Sequence, residues 1–140
     1  MSLPVIAVSN ASTYLTDLPM LTAIPALQRQ VTVDFRACWD VDCQSVFLDK
    51  EQALPEGWWQ ISVTDNPDQA GALGYHELTS RGTPLGRVFA GLIYGAECRA
   101  VTLSLELLEM LADPWIDWCT QGTDGKIYAL EVCDASNPTD

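Results

Sequence analysis

Residues 101–114 read Val-Thr-Leu-Ser-Leu-Glu-Leu-Leu-Glu-Met-Leu-Ala-Asp-Pro. Apolar side chains recur at helical spacing through this stretch, and Pro114 disfavours helical geometry in the residue before it. We therefore predict a helix over residues 100–112. Because most of its faces are apolar, we expect this helix to be buried on most sides.

The predicted helix carries one narrow stripe of acids. At about 100° per residue, Glu106, Glu109 and Asp113 fall within roughly 60° of one another. No Lys or Arg stands within four residues of any of them to relieve their repulsion. Two interpretations are open. The stripe either lines a cleft or is the solvated side of a core helix.

The rest of the chain predicts an α+β fold with a mixed sheet of about four or five strands and two main helices. Apolar runs predict strands at residues 4–8, 46–48, 58–63, 86–93 and 126–132. Apolar residues at three- or four-residue steps predict the first helix, from Ile24 to near Trp39, with Pro25 in its first turn. Residues 65–71 have the composition of a long loop. We expect the second helix to lie beneath an edge strand at 86–93.

Composition and charge limit the classes of function. At 140 residues with 48% hydrophobic residues, the chain predicts one globular domain, residues 1–134, followed by a tail at 135–140. The net charge of -12 repels phosphate backbones, so nucleic acid is not an expected partner. The charge-free stretch at 88–96 is too short to span a bilayer, and no basic segment precedes Arg29. We expect a soluble chain that is not exported and has no membrane partner.

The five cysteines form an odd set without a C-x-x-C pair, which is typical neither of a disulfide framework nor of a zinc finger. Cys38 and Cys43 are close enough in sequence to pair in an oxidising compartment. Buried reduced thiols are the favoured interpretation, and they fit a reducing cytoplasm.

Residues 101–114 resemble the active-site helix of a zincin-like metallopeptidase family found in phages and bacteria, whose members read Ser-His-Glu-x-x-Glu there. The resemblance extends to Asp68-Gln69-Ala70-Gly71-Ala72-Leu73-Gly74-Tyr75-His76-Glu77-Leu78, to Gly86-Arg87-Val88-Phe89 and to Tyr128-Ala129-Leu130-Glu131-Val132-Cys133-Asp134. It covers nearly the whole chain and implies a zincin-like fold.

The resemblance implies specific roles on the second helix. Glu106 corresponds to the general base and Glu109 to the second metal ligand, but the first ligand position holds Leu105, which cannot bind a metal. The third ligand stays open among Asp113, Glu131 and Asp134. Zinc or another divalent cation is expected only if the site is functional.

His76 is the only histidine of the chain, and we predict that it lies in the loop before the edge strand. It could replace the missing ligand, but a loop histidine bonded to the backbone or to Glu77 is the favoured interpretation.

Four tryptophans are candidate interface residues: Trp58, Trp59, Trp115 and Trp118. Trp58 and Trp59 should point to opposite faces of a strand. For Trp115 and Trp118, a lid on the core and an interface anchor are both open.

The leading hypothesis is a catalytically degenerate zincin-like domain that acts as a structural, assembly or binding protein. The resemblance implies a phage-encoded protein in the virion or the bacterial cytoplasm. Its expected partners are protein subunits of an assembly, either a homo-oligomer or the phage particle. The alternative is a metal-dependent peptidase or hydrolase with a rebuilt carboxylate site. A third interpretation is that Leu105 is an engineered inactivation of a working peptidase.

Overall fold

The structure, a computed structural model, describes residues 2–68, 71–93, 95–130 and 132–133. One sheet has five strands: β1 Val5–Asn10, β2 Gln44–Leu48, β3 Trp59–Thr64, β4 Gly74–Leu78 and β5 Pro84–Phe89. Their order across the sheet is β2-β1-β3-β5-β4. β4 runs antiparallel to β5, and the other neighbouring pairs are parallel.

Two main helices accompany this sheet. α1 spans Leu18–Arg29 and continues without a break into a π-helical segment, Gln30–Phe35, and a short α2, Arg36–Trp39. α3 spans Ala96–Ala112. β6 Cys119–Gln121 and β7 Ile127–Ala129 form a separate antiparallel pair. The prediction of an α+β fold with a mixed sheet and two main helices is therefore confirmed.

The core lies between the sheet and the two helices. The buried side chains of Ile6, Val8 and Ile61 from the sheet belong to one apolar cluster with Leu27 of α1 and Leu107 of α3. α1 and α3 also contact each other, so they cover the same face of the sheet. This packing fixes α3 against β5 and β4.

The first helix begins earlier than its apolar spacing predicts. It starts at Leu18 rather than near Ile24, and Pro19 is the proline of its first turn. Pro25 lies inside the helix, so the prediction that it begins the helix is wrong. A proline at the first turn removes an N–H that has no partner in the helix, which is why Pro19 is suited to the start.

The predicted edge strand lies inside the sheet. β5 ends at Phe89 and is flanked by β3 and β4, so the prediction of an edge strand at residues 86–93 is wrong. The edge is β4, which the sequence pattern left unassigned and which contains His76. The pattern of β4 is hard to read, because Gly74 and His76 are not apolar although they lie on the face that meets α3.

The C-terminal part departs from prediction as well. The strand predicted at residues 126–132 is the short β7, and it pairs with β6 instead of joining the main sheet. The predicted tail at 135–140 lies outside the described residues. Among the described helices, none combines the length and the hydropathy of a membrane span.

Candidate metal centre

Glu106 and Glu109 lie three residues apart on α3, so their side chains emerge on neighbouring positions of one helix face. The structure buries both residues: Glu106 is 2% exposed and Glu109 is 7% exposed. The interpretation of the acidic stripe as a solvated face is therefore wrong. Two carboxylates removed from water repel each other strongly, and a nearby positive charge would lower that repulsion.

His76 brings a nitrogen ligand to these two acids. In the antiparallel register of β4 and β5, His76 pairs with Gly86 and Gly74 pairs with Val88. Side chains on a strand alternate between faces, so His76 and Gly74 share the face that packs on α3. The Nδ1 atom of His76 lies 3.9 Å from Oε2 of Glu109, and the His76 side chain is only 10% exposed. The prediction of a loop histidine is wrong.

The other ring nitrogen of His76 adds a second observation. Within the described parts of the chain, the buried Nε2 atom has no hydrogen-bond partner. Leaving a buried polar atom without a partner costs about 1–3 kcal/mol. A ligand or an ordered water beside the ring would remove this penalty.

The three side chains fit a divalent cation. One ligand atom from each of His76, Glu106 and Glu109 can be chosen so that all three atoms lie within 4.8 Å of one another. Ligands at about 2.1 Å from one ion are at most about 4.2 Å apart, so a contraction of less than about 1 Å suffices. An imidazole nitrogen with carboxylate oxygens is a donor set typical of zinc, manganese or iron.

Gly74 leaves room for the carboxylate of Glu106. A Cβ atom at position 74 would lie 2.5 Å from Oε1 of Glu106 and 2.7 Å from the backbone oxygen of Arg87. The close approach of α3 to the end of β4 therefore needs glycine at this position.

The opposite face of β4 makes polar contacts with β5 and with the segment before β4. Arg87 Nε of β5 donates to Glu77 Oε1 at 2.7 Å, and the Tyr75 hydroxyl lies 2.9 Å from both carboxylate oxygens of Asp68, which precedes β4. Burial, and then the hydrogen bond with Asp68, raises the pKa of Tyr75 to about 12. These contacts hold the strand that carries His76.

Of the remaining candidate ligands, only Asp113 belongs to the described part of the chain, and it is not in this cluster. Asp113 is buried, and its two carboxylate oxygens accept the backbone N–H groups of Asp117 and Trp118. Asp113 thereby holds the turn that follows α3. Glu131 and Asp134 lie outside the described residues. Leu105, at the first ligand position of the resembled motif, is half-buried.

The four candidate interface tryptophans differ in exposure. Trp58 and Trp59 are half-buried, and the Trp59 ring meets Trp115 edge-on, with the ring centroids 6.4 Å apart. Trp115 is 56% exposed and Trp118 is 59% exposed. Because Trp115 contacts Trp59, which packs against the core, the lid and the interface interpretations both stay predictions.

Glu106 and Glu109 are thus brought together with a residue that sequence reasoning had placed in a loop. The sequence signal that could have placed His76 in a strand was the alternation along β4, where Tyr75 and Glu77 share one face and His76 lies on the other. Comparison of the chain with protein-family models, with curated proteins and with solved structures finds no match.

Proposed function

We propose that this chain is a metal-dependent hydrolase with a zincin-like fold, in which His76 replaces the ligand missing at Leu105. The single observation that carries the proposal is the position of the His76 ring, 3.9 Å from Glu109 and in one cluster with Glu106. The main chemical reason to expect a degenerate domain is Leu105, which cannot bind a metal. An imidazole from β4 removes that reason.

The buried side chains divide into ligands and a proton acceptor. His76 and Glu109 would hold the cation through a ring nitrogen and a carboxylate oxygen, and Nδ1 of His76 lies 3.9 Å from Oε2 of Glu109. A divalent cation held there would supply a Lewis acid that makes water a better nucleophile at neutral pH. Glu106, the most buried of the three, would act as the proton acceptor for an attacking water.

The same residues explain why the site is compact. Gly74 leaves room for the Glu106 carboxylate at the start of β4, and the hydrogen bond from Arg87 to Glu77 links β4 to β5. A general base held within hydrogen-bond reach of its proton needs this kind of fixed support.

Hydrolysis of an unfolded, carboxymethylated polypeptide tests the proposal. We expect cleavage with added zinc or manganese, its loss on chelation, and at least about a hundredfold lower rate in Glu106→Gln with metal content unchanged. Glu56→Gln, which makes the same change at an exposed turn outside the sheet, is the matched control. Cleavage that continues in the presence of the chelator, or that has an equal rate in Glu106→Gln, contradicts the proposal.

A second candidate function is assembly with protein subunits, favoured by the exposure of Trp115 and Trp118. Aromatic side chains of this kind anchor protein interfaces. Sedimentation velocity over a range of concentrations tests self-assembly: a dimer that Trp115→Ala disrupts supports it, and a strict monomer contradicts it.

A further inference from the structure

A surface cavity of about 350 Å³ lies beside the β6–β7 pair. Its lining does not include Glu106 or Glu109 of α3. The cavity is lined by two aromatic rings, those of Trp118 and Tyr128, and by the acid Asp117. Leu130, which packs against the core, also lines it. A volume of this order is enough for a side chain or small ligand.

The walls of this cavity are held in place from both sides. The buried carboxylate of Asp113 accepts the backbone N–H groups of Asp117 and Trp118, at 3.2 and 3.0 Å. The N–H of Leu130 donates to the backbone oxygen of Trp118 at 3.0 Å. The Trp118 wall is therefore fixed to the end of α3 and to the segment that follows β7.

The second ring is oriented by an acid as well. The hydroxyl of Tyr128 donates to Oδ2 of Asp124 at 2.8 Å. This hydrogen bond lowers the pKa of Asp124, so the carboxylate is ionised at neutral pH. Lys126 is the only basic residue between 117 and 130, and its ammonium group lies 3.9 Å from the same carboxylate.

A strained backbone precedes the cavity. Ile116 has φ of 55°, in the left-handed region that a β-branched residue rarely adopts, and its side chain is exposed. Strain of this kind is kept where the surrounding contacts impose it, and here the bonds of Asp113 to the next two residues do so.

We infer that this cavity binds an arginine side chain of a basic protein segment. Aromatic faces attract a guanidinium group, which also stacks flat on them, and the carboxylate of Asp117 can pair with its charge. The net charge of -12 on the chain favours a basic partner over a second copy of itself. The inference is independent of the metal centre.

Calorimetric titration with a peptide of alternating arginine and alanine at low salt tests the inference. We expect saturable binding to the full chain, with a dissociation constant at least about tenfold higher for Trp118→Ala and weaker binding for Asp117→Asn. A peptide with citrulline in place of arginine keeps the shape and lacks the charge, so it should not bind.

The matched control is Trp39→Ala, which removes a partly exposed tryptophan from α2 and should leave binding unchanged. Circular dichroism establishes that each variant is folded. Equal binding of the citrulline peptide, equal binding by Trp118→Ala, or an equal loss in Trp39→Ala overturns the inference. A dimer of the chain alone that Trp118→Ala disrupts also overturns it, because a second copy would then occupy the cavity.

Discussion

The Nδ1 atom of His76, on the edge strand β4, lies 3.9 Å from Oε2 of Glu109, in the last turn of α3. Neither residue is exposed, and both belong to a cluster with Glu106. This contact connects a strand that the apolar pattern does not predict to a helix that it does predict. The proposed metal site depends on this contact.

Replacing Gly74 by alanine should weaken both the fold and the site. The new methyl group would approach Oε1 of Glu106 within 2.5 Å and the Arg87 backbone oxygen within 2.7 Å. We expect the free energy of unfolding to fall by about 1–3 kcal/mol, as for other overpacked positions. Chemical denaturation measures this change.

A double-mutant cycle separates the two clashes at Gly74. In a Glu106→Ala background, Gly74→Ala should destabilise less, because only the clash with the Arg87 backbone remains. Additive effects of the two substitutions would show that the Glu106 carboxylate does not lie against Gly74.

Leu105→His should tighten metal binding by about tenfold or more. Residues 105 and 109 are four apart on α3, so a new imidazole would share a helix face with Glu109. Leu108→His is the matched control, because adjacent helix residues do not face each other. Calorimetric zinc titration measures both variants, and equal affinity in the two would contradict this geometry.

Asp113→Ala should destabilise the chain without changing its metal content. Its carboxylate accepts two backbone N–H groups of the following turn, and their loss should lower the free energy of unfolding by about 1–2 kcal/mol. Asp49→Ala, at an exposed turn, should change it by less than about 0.5 kcal/mol. A clear drop in metal content would instead make Asp113 a ligand, as the sequence allowed.

Cys43 should react slowly with alkylating agents. Burial raises the pKa of its thiol to about 11, whereas Cys38 is exposed. The folded thiol thus stays protonated at pH 8, and iodoacetamide should label Cys38 first. Mass spectrometry of labelled peptides checks the order in which Cys38 and Cys43 react, and equal rates would contradict it.

The raised pKa of Cys43 also affects stability. Because the folded pKa lies above the unfolded one, this thiol favours the folded state below about pH 8.5, and that contribution is lost as the pH rises toward 11.

The sequence predicts the helices and strands that are determined by the apolar pattern of their own residues. Apolar runs identify β1, β2 and β3, and helical spacing identifies α3 with Glu106 and Glu109 on one face. The edge strand β4 escapes this reasoning, because its helix-facing residues Gly74 and His76 contribute to a polar site rather than to the core. β6 has three residues, and its existence depends on pairing with β7.

The role of His76 could not be predicted for the same reason. Its approach to Glu109 depends on the register of β4 against β5 and on the packing of α3 against both strands. Those relationships join segments far apart in the chain, and no local pattern contains them. The burial of the acidic stripe is likewise decided by that packing.

The most direct test of the metal centre is elemental analysis of the gently purified chain beside His76→Ala, with Glu56→Gln, at an exposed turn, as the control. We predict about one divalent ion per chain in the unaltered protein and in Glu56→Gln, and a loss of most of it in His76→Ala. Circular dichroism should show the same fold in all three. Equal metal content in His76→Ala, or none in the unaltered protein after incubation with zinc or manganese, would contradict the proposed site.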